Sequence, residues 1–210
     1  MPETMTEKPV RVFLDELASD APAPGGGSVA ALAGALGAAL ISMVSNFTIG
    51  REKYAAVQDE ISTLLKKSES LRQELTDLIE EDIRVYTETS QIMKMPRDTE
   101  EQKQARAKAL DKARKAATDV PMRVAGACAA VMELCRPAAE KGNTNLVSDA
   151  GVGILMAEAG LRSAALNVLI NLGSIKDEAF VKENREKLNN LLKGKPALRD
   201  EIYALVVSKL

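Results

Sequence analysis

Apolar residues recur along most of the chain at alternating spacings of three and four, the pattern of helices that bury one face. Val10 to Ser19 opens it, with Phe13, Leu14 and Leu17 on one side. Pro22 and Pro24 end that stretch, and Gly25-Gly26-Gly27 make a loop. Ser28 is then the natural N-cap of a second helix running toward Asn46, and Gly50 breaks the pattern. The third periodic stretch runs from Tyr54 to Lys94 and is stopped by Pro96. Its inward seam reads Val57, Ile61, Leu64, Ser68, Leu71, Leu75, Leu78, Asp82, Val85, Thr89, Ile92, a coiled-coil-like spacing. A helix of ~40 residues extends ~60 Å, which outruns a compact globule of this size. Much of its face is therefore expected to pack against a second subunit.

Beyond it, Glu100 to about Thr118 reads as another helix, with Pro121 at a first-turn position restarting or kinking it toward Leu134. Pro137 and Gly142-Asn143-Thr144-Asn145 read as a loop, after which Ser148 or Asp149 caps a small-residue helix to about Leu172. Two short amphipathic helices, Asp177 to Lys193 and Pro196 to Lys209, finish the chain. No stretch alternates with period two as a half-buried strand does. The expected fold is all-α: a helical bundle with one very long helix, a single domain over residues 1–210, and dimeric.

One segment also has the length of a membrane span, since no charge falls between Ala21 and Gly50. Its composition is Ala, Gly and Ser with scattered larger residues. Ala30, Gly34, Ala38 and Ser42 form a small-residue stripe that lets helix backbones approach closely. The amphipathic remainder of the chain is expected to bury this helix, with no membrane partner. No basic stretch precedes it as in a secretory leader. A formal net charge of -2 gives no global attraction for nucleic acid.

Composition narrows the chemistry further. Of 210 residues, none is His. Imidazole-based triads, His-ligated zinc and a histidine general base are thereby excluded, leaving acid–base work to carboxylates, Lys, Cys or Tyr. Cys128 and Cys135 lie about two helical turns apart, ~10.5 Å of rise, too far for a mutual disulfide or shared chelation. They are expected to be free thiols in a reducing cytoplasm, and no metal is expected.

Asp82 is the misfit of the long seam, because it puts a carboxylate on an apolar face. Burial of a carboxylate is costly unless it is paired or functional, and raises its pKa. The plainer alternative makes Glu80-Glu81-Asp82 a solvated acidic run. Pro24-Gly25-Gly26-Gly27-Ser28 opens a helix, so its amides suit an anion or a carbonyl oxygen; a glycine hinge for close packing explains it equally well. Its G-x-G-x-x-A match is not a dinucleotide fingerprint, since no strand precedes it. Asn143, Asn145 and Asp149 make a second polar cluster that Asx turns and capping would also explain. Arg51, Lys53, Arg97 and Arg106 supply positive charge, each individually at home on a surface.

The order of several short motifs goes further. Phe13-Leu14-Asp15-Glu16-Leu17-Ala18-Ser19, Ala23-Pro24-Gly25-Gly26-Gly27-Ser28, Gly50-Arg51-Glu52-Lys53-Tyr54 and Glu81-Asp82-Ile83 resemble the cyclodeaminase/cyclohydrolase family of folate enzymes. So do Gly142-Asn143, Ser148-Asp149-Ala150-Gly151 and Leu166-Asn167-Val168-Leu169-Ile170-Asn171-Leu172. The set is collinear over almost the whole chain and is most similar to the stand-alone bacterial methenyltetrahydrofolate cyclohydrolases. The resemblance implies an all-helical homodimer, a tetrahydrofolate derivative bound between helices, and Asp82 as the catalytic carboxylate. It places Pro24, Gly25, Gly26, Gly27, Ser28, Lys53, Arg106, Asn143 and Asp149 around the folate, with Asn145 at a position that varies. No cofactor beyond the tetrahydrofolate substrate is implied. Cyclodeamination of formiminotetrahydrofolate stays open as an alternative reaction, and a non-catalytic helical scaffold as an alternative class.

Overall fold

The computed structural model describes residues 4–210, and helices account for nearly all of their regular structure. Seven α-helices run in order: α1 (Val10–Leu17), α2 (Gly26–Asn46), α3 (Gln58–Met93), α4 (Glu100–Lys141), α5 (Val147–Leu172), α6 (Glu178–Leu192) and α7 (Lys195–Val207). Short 3-10 turns at Met5–Glu7, Glu52–Val57 and Thr144–Leu146 join some of them. No strand occurs among the described residues. The all-α expectation holds.

At the centre α2 and α5 run antiparallel, with α3 and α4 packed on them and α6 and α7 closing one flank. Their small residues explain the contact. A Cβ built on Gly37 would lie 2.9 Å from the Gly153 carbonyl oxygen, and one on Gly160 would lie 2.9 Å from that of Ala30. Only glycine lets the two backbones come this close. Ala30, Gly34, Ala38 and Ser42 are all buried; Gly34 lies against Leu75 of α3 and Cys128 of α4, and Ser42 shares a 2.8 Å hydrogen bond with Ser68 of α3. By length and composition Gly26–Asn46 and Thr144–Leu172 would each cross a membrane, yet 61% and 50% of their most apolar windows are buried inside the bundle.

Several expected boundaries move. Gly25, not Ser28, is the N-cap of α2, so Ser28 falls in the first turn with its side chain free for another partner. α3 starts at Gln58 after a 3-10 turn. Leu146 stands at the N-cap of α5, which leaves Ser148 and Asp149 inside its first turn. The seam residues Ile61, Leu64, Leu75 and Leu78 are buried within the chain, where α3 packs on α2 and α4. The apolar face that had suggested a second subunit is thus largely filled by α2 and α4. Among the large apolar residues that stay exposed are Tyr86 and Met93 in the last turns of α3, Leu36 and Phe47 on and just after α2, and Val152, Leu155, Leu166 and Ile170 on α5.

The largest departure is α4. Thr99 and Gln102 form a capping box at its start, and the helix then runs unbroken for 42 residues through Pro121 and Pro137. It exceeds the 36 residues of α3, so the bundle holds two very long helices rather than one. Proline at 121 removes the N–H that would bond the Ala117 carbonyl four residues earlier. Asn171 of α5 fills that gap, its Nδ2 donating to Ala117 O at 2.7 Å. Asn171→Leu should cost about 1–3 kcal/mol by leaving that carbonyl unpaired. Chemical denaturation measures it; unchanged stability would mean that the proline gap is satisfied in another way.

Candidate functional site

Asp82 sits on α3 where that helix passes the N-terminus of α2. Ser28 Oγ donates to its Oδ2 at 2.7 Å, a use of the hydroxyl that its place inside the first turn permits. Gly27 is the other half of the contact. A Cβ built there would land 2.6 Å from Asp82 Cγ, so the carboxyl lies directly against the backbone of the first turn. Only a residue without a side chain allows that approach. Burial pushes the Asp82 pKa above its ordinary value, while the Ser28 hydroxyl and backbone N–H pull against the shift. The positive end of the α2 dipole favours the ionised form in the same way. The anion held at this helix start is the protein's own carboxylate. One position before it, Glu81 bonds Arg123 of α4 at 2.8 Å and pins α3 to α4.

The glycine loop divides by role. Pro24 is buried behind the turn and Gly25 caps the helix. Gly26 is exposed, and a Cβ there would meet only the Asn167 amide at 3.6 and 3.7 Å, ordinary contact. The close approach in this loop is therefore made by Gly27 and not by Gly26. Asn167 Nδ2 is committed to Ser163 O in its own helix, which leaves its Oδ1 beside the loop.

A second cluster gathers at the opposite end of α2. Asn143 Nδ2 donates to Phe47 O at 3.0 Å, and its backbone N–H donates to Thr48 Oγ1 at 2.8 Å. Asn143 Oδ1 accepts from Asn145 N at 3.1 Å, so the Asx-turn reading of this loop is correct as far as it goes. Lys53 Nζ reaches Thr144 Oγ1 at 3.3 Å and lies 5.4 Å from the centre of the Tyr54 ring. Phe47, Arg51, Lys53, Tyr54, Asn143 and Asn145 line most of an open cavity of about 420 Å³. Asp149 is half-buried in the first turn of α5, just past this loop. Phe47 and Tyr54 carried no role in the sequence reading, because nothing local marks an aromatic residue whose partners lie some 90 positions away.

The structure thus sorts the candidate residues into two groups. Asp82, Gly27 and Ser28 meet at the start of α2; Lys53 and Asn143 meet beyond its end, about 30 Å away at 1.5 Å per residue. Arg106 joins neither. Its Nε and Nη2 donate to Met93 O at 3.3 and 3.0 Å, capping the end of α3 at the tip of the α3–α4 hairpin. Cys128 and Cys135 are free and buried, and burial pushes the Cys128 thiol up to about 12 and Cys135 upward as well. Neither thiol is poised as a nucleophile or a ligand.

Residues 9–190 match the formiminotransferase-cyclodeaminase family. The chain is 47% identical over 201 residues to a methenyltetrahydrofolate cyclohydrolase of Methylorubrum extorquens, covering 96% of this chain and 97% of that protein. It is 36% identical to the formimidoyltransferase-cyclodeaminase of Sus scrofa over 90% of its own length, but spans only 35% of that longer protein. The crystal structure of formiminotetrahydrofolate cyclodeaminase from Thermotoga maritima superposes with a TM-score of 0.80 at 31% identity, over 97% of this chain and 96% of that one.

Proposed function

The chain belongs to the formiminotransferase-cyclodeaminase family, and from that membership we propose its reaction: hydrolysis of 5,10-methenyltetrahydrofolate to 10-formyltetrahydrofolate. It is an enzyme of folate one-carbon metabolism, a hydrolase acting on a cyclic amidine. The observation that carries the mechanism is the Asp82 carboxyl seated on Gly27 and Ser28.

The substrate carries a cationic amidinium carbon bridging N5 and N10. Asp82, ionised and half-buried, offsets that charge and orients water toward the carbon. As water adds, the carboxylate takes one of its protons, giving a neutral tetrahedral intermediate and a carboxylic acid. The C–N5 bond then breaks, the Asp82 proton passes to N5, and the second hydroxyl proton leaves as the formyl C=O forms on N10. The balance is one water consumed and one proton released, with the carboxylate restored. Burial matters because a base whose pKa is raised toward neutrality takes the proton more readily. Ser28 holds the carboxyl in place and favours its ionised form. No step calls for a metal, which agrees with a sequence that offers no His.

The enzyme works as a homodimer in the cytoplasm. Support for the dimer comes from the exposed apolar residues of α2 and α5, Leu36, Val152, Leu155, Leu166 and Ile170. A two-fold axis perpendicular to α2 near its middle would set the start of one α2 against the end of the other. The partner subunit's Lys53 and Asn143 then stand beside Asp82, and the two groups make one folate site. Support for the compartment comes from the two free thiols.

Cyclodeamination is the second reading, favoured by the likeness to the Thermotoga maritima enzyme. Parallel assays of the purified chain with 5,10-methenyltetrahydrofolate and 5-formiminotetrahydrofolate in excess EDTA separate the two. Rapid hydrolysis of the first without ammonia release from the second is the expected result. Ammonia release at the higher kcat/KM would overturn the assignment, and activity that requires added metal would overturn the metal-free mechanism.

A further inference from the structure

We propose that Tyr54 is a positioning residue for substrate binding: its hydroxyl fixes the Asn143–Thr144 loop against Lys53. The inference rests on the composite folate site above and deepens it. Three contacts converge on one phenol oxygen. Thr144 N donates to Tyr54 Oη at 3.0 Å, Thr144 Oγ1 lies 3.3 Å from it, and Tyr54 Oη donates to Asn143 Oδ1 at 3.4 Å. Lys53, the neighbour in sequence, reaches the same Thr144 hydroxyl and lies over the Tyr54 ring. Four residues from two parts of the chain are thereby tied through one side chain.

Tying them costs the loop its freedom, and that is the point of the arrangement. The Thr144–Leu146 turn is a single 3-10 turn between two helices, and Asn145 is exposed. Without Tyr54, the Asn143 side chain keeps its Asx bond to Asn145 N and its bond to Phe47 O. What it loses is the phenol oxygen shared with Thr144, which leaves the single 3.3 Å contact of Lys53 with the Thr144 hydroxyl to hold the charged group against the loop. The loop folds either way, but its amide and ammonium groups no longer share one geometry. The ring also forms one wall of the cavity that Phe47 and Arg51 line. A planar ligand bearing carboxylates fits such a lining, an aromatic ring beside two cations.

The test compares Tyr54→Phe, Asn143→Ala, the double variant and Lys53→Ala, with KM and kcat for 5,10-methenyltetrahydrofolate and thermal melts on each. Tyr54→Phe should raise KM about tenfold with kcat and Tm nearly unchanged, the mark of lost ground-state positioning. Its effect should largely vanish in the Asn143→Ala background, because residues acting as one unit are not additive. An unchanged KM in Tyr54→Phe, beside a raised KM in Lys53→Ala, overturns the Tyr54 assignment and leaves the composite site standing. An unchanged KM in Lys53→Ala overturns the composite site itself. A parallel fall in Tm and kcat of Tyr54→Phe, without a KM change, would make the tyrosine a structural anchor only.

Discussion

Asp82→Asn should lower kcat by about 10²–10⁴-fold, the range a positioned general base supplies. The substitution keeps the side-chain shape, and the amide oxygen can still accept the Ser28 hydroxyl that now lies 2.7 Å from Oδ2. On the proposed mechanism, what it removes is the proton acceptor and the charge that would face the amidinium. Stability should respond in the opposite sense. Burial holds the Asp82 pKa above its ordinary value of 3.8, so the folded protein binds its proton more tightly than the unfolded chain. Ionising Asp82 therefore destabilises the fold: the cost grows as pH rises from 3.8 through the raised folded-state pKa, and it is absent below 3.8, where both states are protonated. The variant should melt at the same temperature or slightly higher at neutral pH, with the difference shrinking in acid. A lower melting temperature with normal turnover would make Asp82 a structural anchor. In the native enzyme the raised pKa also places the acid limb of kcat/KM above the ordinary carboxyl value, and Asp82→Asn should lose that limb.

Gly27→Ala should be nearly as damaging to turnover by a different route. The new methyl group would lie 2.6 Å from Asp82 Cγ, where backbone and carboxyl now touch. Either α3 moves away or Asp82 swings out of its bond with Ser28. Overpacking of this kind typically costs ~1–3 kcal/mol, and a misplaced base loses on the order of 10²-fold in rate. Gly26→Ala is the matched control, since its methyl group meets only the Asn167 amide at ordinary distance. The pair should differ by at least tenfold in kcat at similar expression. Equal effects would mean that the loop acts as a hinge and that the Asp82 contact has no catalytic weight.

The contrast between these two glycines shows where sequence reasoning reaches its limit. Asp82 is legible because it interrupts an apolar period on its own helix, a pattern visible within a dozen residues. Gly27 is legible as part of a glycine run, but the group that requires its missing side chain lies 55 positions further along α3. The same distance hides the continuity of α4. Pro121 reads locally as a break, and the Asn171 amide that repairs it comes from α5, 50 positions later. Helix α2 was legible as a tightly packed core element, since Ala and Gly at close spacing permit what the structure then uses. Lys53 and Asn143 gave no local sign of meeting; only the family resemblance set them in one site. Arg106 came with them, yet the α3 terminus occupies its guanidinium. A helix C-terminus with open carbonyls is a ready partner for arginine, and nothing in the local sequence announces that competition.

The claim that most needs testing is that Asp82 of one subunit and Lys53 of the other serve the same folate. Mixing Asp82→Asn protein with Lys53→Ala protein, after subunit exchange, tests it in one rate measurement. Each variant alone should be nearly silent at substrate concentrations below the raised KM of Lys53→Ala. In a random mixture half the dimers are mixed, and each of those carries one site with both native residues, so activity should return to about a quarter of the native rate. Activity no higher than the average of the two separate variants would contradict the composite site and return all catalysis to one chain.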